Sequence, residues 1–143
     1  MKKGHAFSLN GNAVIAQSGG VTAVINQSLA GAVDAARHCK KIPFFWGSSH
    51  GIEGILKDSF VDLKKQPAAL IRKIAHSPSA ALGSSRYKLK PDNAKKIVSH
   101  LRGKNVRYLF LIGGNDTAHT SLQIANAAEQ VGYELRVIHI PKT

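Results

Sequence analysis

The sequence predicts an α/β fold, a doubly wound and mostly parallel sheet with helices on both faces. Short apolar runs typical of buried strands alternate along the chain with segments whose apolar residues recur at helical spacing. Two of the strand-to-helix junctions are glycine turns, at residues 18–20 and 113–114. Such alternation indicates β–α units, whose strands pair in parallel.

The first half of the chain begins with an apolar run at residues 13–16, which predicts the first strand. A helix is predicted after the first glycine turn, with one apolar face formed by Val21, Val24, Ile25, Leu29, Ala32, Val33 and Ala36. Residues 42–46 predict a second strand, bounded by Pro43 and Gly47. The stretch 51–63 is rich in turns, with a hairpin-like piece around residues 59–63.

The middle of the chain is predicted to contain two helices separated by a loop. Pro67 begins a helix that ends before Pro78. Residues 77–90 contain proline, glycine and four serines with no apolar period, so we expect a loop. A second helix begins at Pro91 and ends before Gly103; its apolar face consists of Ala94, Ile97, Val98 and Leu101.

The last part of the chain predicts a strand, a helix and a further strand. Residues 106–112 form a continuous apolar run, typical of a strand buried on both faces. The second glycine turn leads into a helix that ends at Gly132 and carries Leu122, Ala125 and Ala128. Residues 135–140 predict the last strand. Because ligands of parallel sheets bind where strands end, a chain that stops three residues later is expected to be a fragment.

Composition bounds the class of protein. With 143 residues, of which 43% are hydrophobic, the chain fits one packed domain or part of one. The net charge of +12 suggests a polyanionic partner, but the basic residues occur as scattered pairs and aromatic residues make up only 6%. We therefore expect no nucleic-acid partner. No apolar run approaches the ~18 residues of a membrane span, and the single cysteine, Cys39, suits a reducing compartment.

The two glycine turns are candidate anion sites. Glycines at a strand-to-helix junction let a ligand approach the backbone, and the N–H groups at the helix start attract anions. Each turn alone is equally compatible with tight turning and ordinary helix capping. Neither the dinucleotide pattern G-x-G-x-x-G nor a P-loop is present. Together with the cations Arg86, Lys88 and Lys142, the two turns favour a phosphoryl-transfer site.

Several segments, in this order along the chain, resemble the phosphofructokinase family, and most closely its pyrophosphate-dependent branch. They are Ser18-Gly19-Gly20 with Asn26, Gly51-Ile52-Glu53-Gly54, Gly83-Ser84-Ser85-Arg86, Ile112-Gly113-Gly114-Asn115-Asp116 and Ile140-Pro141-Lys142-Thr143. The resemblance implies transfer of a phosphoryl group from pyrophosphate to the 1-hydroxyl of fructose 6-phosphate with Mg²⁺. It also implies a cytoplasmic enzyme that is a homo-oligomer when complete. The ATP-dependent branch is the alternative.

The resemblance assigns roles to particular residues. Pyrophosphate would be bound by Gly19, Gly20, Arg86, Gly114, Asp116 and Lys142. Asp116 and Lys142 would act in catalysis: the Asp116 carboxylate would exclude the α-phosphate of a nucleotide, and Lys142 would stabilise the transferring phosphoryl group. Asn115 stands where the family has its Mg²⁺-associated residue, usually an aspartate, and Thr143 would contact the sugar phosphate.

The family's general base follows the Pro-Lys-Thr motif, and this chain ends at Thr143. Residues 1–143 are therefore expected to be a partial N-terminal phosphoryl-donor-binding domain, with the sugar-phosphate domain absent. We expect the isolated chain to hold part of the donor site without turning over substrate.

One further alternative is an α/β-hydrolase. Gly47-Ser48-Ser49-His50-Gly51 matches the G-x-S-x-G pattern after a predicted strand, which would make Ser49 a nucleophile. Asp116 and His139 follow in the order of a hydrolase triad. Against it, the segment after Gly51 is too short for the helix that this motif requires, and His139 lies inside an apolar strand.

Overall fold

The computed structural model describes residues 9–142, in which five strands and five helices follow one another. The strands are β1 (Asn12–Gln17), β2 (Phe45–Ser48), β3 (Phe60–Asp62), β4 (Val106–Gly113) and β5 (Arg136–Pro141). The helices are α1 (Ala23–Arg37), α2 (Ile52–Leu56), α3 (Ala68–Ala75), α4 (Pro91–Gly103) and α5 (Asn115–Gln130).

The strands form one sheet in the order β3-β2-β1-β4-β5. All neighbours pair in parallel except β3, which runs antiparallel to β2. Residues 59–63, where a hairpin-like piece was expected, contain the single strand β3. The chain moves from β1 to β2 on one side and places β4 on the other side of β1. The ends of β1 and β4 are in register, with Gln17 opposite Ile112, so both glycine turns leave the same edge of the sheet. This is the topological switch point at which open α/β sheets bind their ligands.

The two faces of the sheet are covered by different helices, which confirms the predicted doubly wound fold. Alternate residues of β1 enter opposite cores, because successive strand side chains point to opposite faces. Ala13 and Ile15 pack with α1 and α3, whereas Val14 and Ala16 pack with α2, α4 and α5.

Most predicted elements are present, and the second strand is the clearest shift. It was expected at residues 42–46 but runs from Phe45 to Ser48, because Gly47 pairs with both Ile15 and Val61 instead of ending the strand. A Cβ on Gly47 would lie 2.7 Å from Leu82 Cδ2, so close packing explains the glycine. Gly103, expected as a stop, is the last residue of α4. The turn-rich stretch contains the short helix α2.

Three apolar residues assigned to buried helix faces are exposed. Val21 is 52% exposed because it precedes the helix, whose N-cap is the extended residue Thr22. Val24 is 37% and Leu122 58% exposed, so they face solvent at the edges of α1 and α5. In α5 the buried face consists of Thr117, Ser121, Ile124, Ala127 and Ala128, four of which are small or polar enough to give little apolar signal.

Residues 77–90 form an extended connection from α3 to α4 without helix or strand, as expected. We call this segment the arginine loop, after Arg86. It runs back to the edge of the sheet where the two glycine turns lie, because Ser85 O accepts hydrogen bonds from Gly19 N (3.1 Å) and from Ser18 Oγ (3.0 Å).

Candidate functional site

A cleft of about 790 Å³ opens at the switch point between β1 and β4. It is lined by residues 18–20, by residues 85–89 of the arginine loop, by the start of α5 and by Lys142. We call it the switch-point cleft. It contains seven of the eight site residues named from the sequence, namely Gly19, Gly20, Arg86, Gly114, Asn115, Asp116 and Lys142. The eighth, Thr143, lies outside the described residues.

The first glycine turn is held by the protein's own groups. Gly19 has a φ of +79°, a conformation that glycine adopts without strain, and its N–H donates to Ser85 O. Ser18 N donates to Ile112 O (2.9 Å), which ties the turn to β4. The Gly19 N–H is therefore not available to an anion. The turn instead brings its backbone close to two cations.

Those cations are Lys142 and Arg86. Lys142 Nζ donates to Gly20 O, and it lies 3.1 Å from the position a Cβ on Gly19 would take. Arg86 Nη2 lies 3.7 Å from the corresponding position at Gly20. An ammonium and a guanidinium thus flank two consecutive glycines. Any side chain larger than hydrogen at residue 19 would crowd the ammonium group.

The second glycine turn is open. Gly114 is the N-cap of α5 and has no side chain to accept a bond from the first helical N–H groups. Asn115 and Asp116 follow it and are exposed in the cleft. A helix start without a capping side chain is a ready site for an anion, because its N–H groups carry partial positive charge.

Lys142 connects the two turns. Its main-chain N–H donates to Gly113 O (3.0 Å) at the end of β4, while its side chain reaches Gly20 at the end of β1. The residue just beyond β5 therefore lies across the opening between the turns.

The charge of the cleft is mainly positive. Arg86, Lys88 and Lys142 contribute three cations, and among the described residues that line the cleft Asp116 is the one acidic side chain. Cations spaced along the cleft can bind an anion that has two or more linked phosphate groups. The arrangement suits a small, highly charged anion with one position at which negative charge is disfavoured, beside Asp116.

Sequence reasoning missed the residues that support the arginine loop. Ser85 Oγ donates to Glu53 Oε1 (2.8 Å) in α2 and accepts from Tyr87 N (3.1 Å). Gln17, at the end of β1, accepts a hydrogen bond from Leu82 N (2.9 Å) while fully buried. A polar residue closing an otherwise apolar strand was the available signal, since a buried amide needs partners.

The geometry does not support the hydrolase alternative. Ser49 follows β2 and His139 lies within β5, with two strands between them, which corresponds to about 14 Å at normal strand spacing. His139 Nε2 lies 2.8 Å from Gly113 O and so already has a partner. The helix after Ser49, α2, is only five residues long.

Two kinds of feature are absent from the part of the chain that the structure describes. No group of three or more His, Cys, Asp or Glu side chains is placed to hold a metal ion among residues 9–142. None of the helices described above is both long and apolar enough to cross a bilayer.

The chain is similar to known proteins over nearly its whole length. Residues 12–143 match the family model described as Phosphofructokinase. Among curated relatives, the pyrophosphate–fructose 6-phosphate 1-phosphotransferase of Rhodospirillum rubrum is 41% identical over 133 residues, 93% of this chain and 33% of the relative. The enzyme of the same name from Xanthomonas campestris is 44% identical over 139 residues, 94% of this chain and 33% of the relative.

A solved structure has a similar fold. The pyrophosphate-dependent phosphofructokinase from Nitrosospira multiformis superposes with a TM-score of 0.88 at 38% identity, covering 92% of this chain and 33% of that one. The chain thus spans about a third of the length of these relatives.

Proposed function

The chain belongs to the phosphofructokinase family, and on that premise we propose that it forms the phosphoryl-donor side of a pyrophosphate-dependent 6-phosphofructokinase. The complete enzyme would transfer a phosphoryl group from pyrophosphate to the 1-hydroxyl of fructose 6-phosphate, giving fructose 1,6-bisphosphate. The single observation that carries the proposal is the switch-point cleft, in which Lys142 and Arg86 flank the first glycine turn and Asp116 faces the cleft from the second.

Each group has a chemical task in this reaction. Phosphoryl transfer needs positioning and charge stabilisation more than covalent help from the protein. Arg86 and the N–H groups at the start of α5 would bind the diphosphate oxygens. Lys142, which already reaches Gly20 O, would stabilise negative charge on the transferring group. Gly19 and Gly20 let the two cations that would bind the donor lie close to the backbone, and Gly114 leaves space for the donor at the opposite turn.

Asp116 supports pyrophosphate over ATP as the donor. Its exposed carboxylate stands in the first turn of α5, where the additional phosphate of a nucleotide would be repelled. The ATP-dependent alternative has weaker support. The ATP-dependent 6-phosphofructokinase of Borreliella burgdorferi is 31% identical over 134 residues, below the identity of the pyrophosphate-dependent relatives named above.

Mg²⁺ is part of the proposal. Asn115 and Asp116 present a carbonyl and a carboxylate oxygen at the cleft. This donor set fits, because Mg²⁺ commonly uses one or two protein oxygens together with phosphate oxygens and water. When bound, the ion would neutralise charge on the pyrophosphate oxygens.

The proposal assigns residues 1–143 to donor binding. The general base and the sugar-phosphate domain would belong to the two thirds of the relatives that this chain does not span. Thr143 as a substrate contact and the homo-oligomeric state remain predictions. A cytoplasmic location is consistent with charged sugar phosphates, which do not cross membranes unaided.

The proposal is tested by binding and by activity. Calorimetric titration of the chain with pyrophosphate and Mg²⁺ should show one site, and Lys142→Met should weaken that binding about tenfold, since a charged contact is lost. Lys96→Met, an exposed lysine on α4 away from the cleft, is the matched control and should bind as the wild type does.

Under this proposal, activity needs the two thirds of the relatives' length that this chain does not span. A chimera joining residues 1–143 to the corresponding remainder of the Rhodospirillum rubrum relative should phosphorylate fructose 6-phosphate with pyrophosphate, whereas the isolated chain should not. A folded chimera that uses ATP but not pyrophosphate would overturn the proposed donor.

A further inference from the structure

Two buried amide side chains lie beneath the switch-point cleft. Gln17 ends β1 and Asn26 lies in the second turn of α1; they are 0% and 1% exposed. Gln17 Nε2 donates to Asn26 Oδ1 (2.9 Å). Neither side chain lines the cleft, so neither is placed to touch a ligand there.

Every nitrogen and oxygen atom of the two amides makes at least one hydrogen bond. Besides the bond between the two amides, Gln17 Nε2 also donates to Ile25 O (3.2 Å). The other three bonds go to the arginine loop. Leu82 N donates to Gln17 Oε1 (2.9 Å), Ala81 N donates to Asn26 Oδ1 (2.9 Å), and Asn26 Nδ2 donates to Ser77 O (3.0 Å).

For the arginine loop, these bonds take the place of the hydrogen bonds that a helix or strand would supply. The arginine loop has neither helix nor strand, so its backbone groups must find partners elsewhere. Three of them are bound by two side chains that are themselves fixed by β1 and α1. Removing the Gln17 amide would leave the buried Leu82 N–H unpaired, which costs more than the bond itself contributes. Removing the Asn26 amide would free the more exposed groups of Ser77 and Ala81.

The loop is therefore fixed at two places before it reaches Arg86. The amide pair binds it at Ser77, Ala81 and Leu82, and the first glycine turn binds it at Ser85. Arg86 follows Ser85 directly, and its guanidinium lies beside Gly20. The position of the guanidinium thus depends on the path that the amide pair sets.

We propose that Gln17 and Asn26 are positioning residues that set where Arg86 lies in the switch-point cleft and so raise the affinity for the pyrophosphate donor. The inference rests on the proposed function for the identity of the ligand. The positioning itself rests only on the hydrogen bonds and burial above. Asn12, at the opposite end of β1, offers a matched comparison.

The Asn12 amide also links two segments, donating to Lys104 O (2.8 Å) and accepting from Phe44 N (3.2 Å), but far from the cleft. Gln17→Met keeps the volume and removes every bond of the Gln17 amide, whereas Asn12→Leu does the same at the other end. Both should lower stability. Only Gln17→Met should weaken pyrophosphate binding, by about tenfold, because Arg86 is no longer held.

A double-mutant cycle separates positioning from general destabilisation. In the background of Arg86→Met, adding Gln17→Met should weaken binding no further, since the group it positions is already gone. Additive losses would overturn the proposal. Asn26→Leu, which nearly keeps the volume and removes the bonds to Ala81 and Ser77, provides a second variant if Gln17→Met does not fold.

A second measurement needs no ligand. Limited trypsin digestion should cut after Arg86 and Lys88 several-fold faster in Gln17→Met than in Asn12→Leu. The two variants are compared under conditions that give them the same free energy of unfolding. Equal cleavage rates would overturn the positioning role. If the wild-type chain binds no pyrophosphate but cleavage after Arg86 rises as expected, the proposed function fails and the positioning role stands.

Discussion

The two glycine turns of the switch-point cleft carry the same sequence signal but differ in structure. Each follows a buried strand and precedes a long helix. In the first turn the backbone groups already have partners within the protein: the Gly19 N–H donates to Ser85 O, and Gly20 O accepts from Lys142 Nζ. The second leaves the start of α5 uncapped and carries Asn115 and Asp116 exposed. One turn therefore places cations, and the other offers helix N–H groups and the discriminating carboxylate.

The difference follows from what crosses each turn. The arginine loop passes over the first turn and supplies its hydrogen-bond acceptor at Ser85. At the second turn, within residues 9–142, the main chain of Lys142 binds Gly113 rather than the helix start. Two similar local motifs therefore have different roles, because different segments, distant in sequence, pack against them.

The largest expected effect is at the second turn. A Cβ on Gly113 would overlap Thr117 Oγ1 and lie 2.6 Å from Thr117 Cβ, and Thr117 is buried. Gly113→Ala should therefore lower the free energy of unfolding by about 1–3 kcal/mol, the usual cost of overpacking. Urea unfolding measures it.

Gly114→Ala is the control for this prediction, because its Cβ would have no neighbour closer than 4.0 Å, Lys142 O. Alanine is a poorer N-cap than glycine, so Gly114→Ala should lower the urea midpoint slightly, and less than Gly113→Ala does. Equal midpoints for the two variants would mean that the second turn is not fixed by the packing of Thr117.

A smaller stability effect is expected at the first turn. Gly19→Ala forces an L-residue to a φ of +79°, at a cost of about 1–2 kcal/mol, and crowds Lys142 Nζ. Pyrophosphate binding should weaken as the ammonium is displaced. Gly20→Ala, whose Cβ would meet nothing closer than Arg86 Nη2 at 3.7 Å, should keep its stability. A loss of stability in Gly20→Ala equal to that in Gly19→Ala would contradict the assignment of strain to residue 19.

The smallest expected effect concerns selectivity. Asp116→Gly should raise ATP affinity relative to pyrophosphate about tenfold, because a repulsive charge is removed from an exposed position. Titration with each ligand measures the ratio. Asp92→Gly, at the start of α4 and outside the cleft, is the matched control. An unchanged ratio in Asp116→Gly would remove the discriminating role.

The sequence predicted the sheet and the meeting of the two turns because both depend on local patterns. Apolar runs place β1 and β4, and the rule that parallel strands end at one edge brings Gly20, Asp116 and Lys142 together. Val24 and Leu122 were assigned to buried faces wrongly, since a helical period gives the direction of a face but not its width.

The internal support of the cleft could not be predicted in the same way. Gln17 gave a signal as a polar residue in a buried strand, but its partners Leu82 and Asn26 follow from the path of the arginine loop. That path has no period or propensity to reveal it. The use of the Gly19 N–H by Ser85 was hidden for the same reason.

The two contacts of Lys142 have an entropic consequence. A lysine side chain has about 2 kcal/mol of rotamer entropy to lose when it is fixed in one conformation. Here the main chain is bound to Gly113 and the ammonium to Gly20 before any anion arrives. An incoming phosphate therefore meets a preorganised cation, and more of its electrostatic attraction remains as affinity.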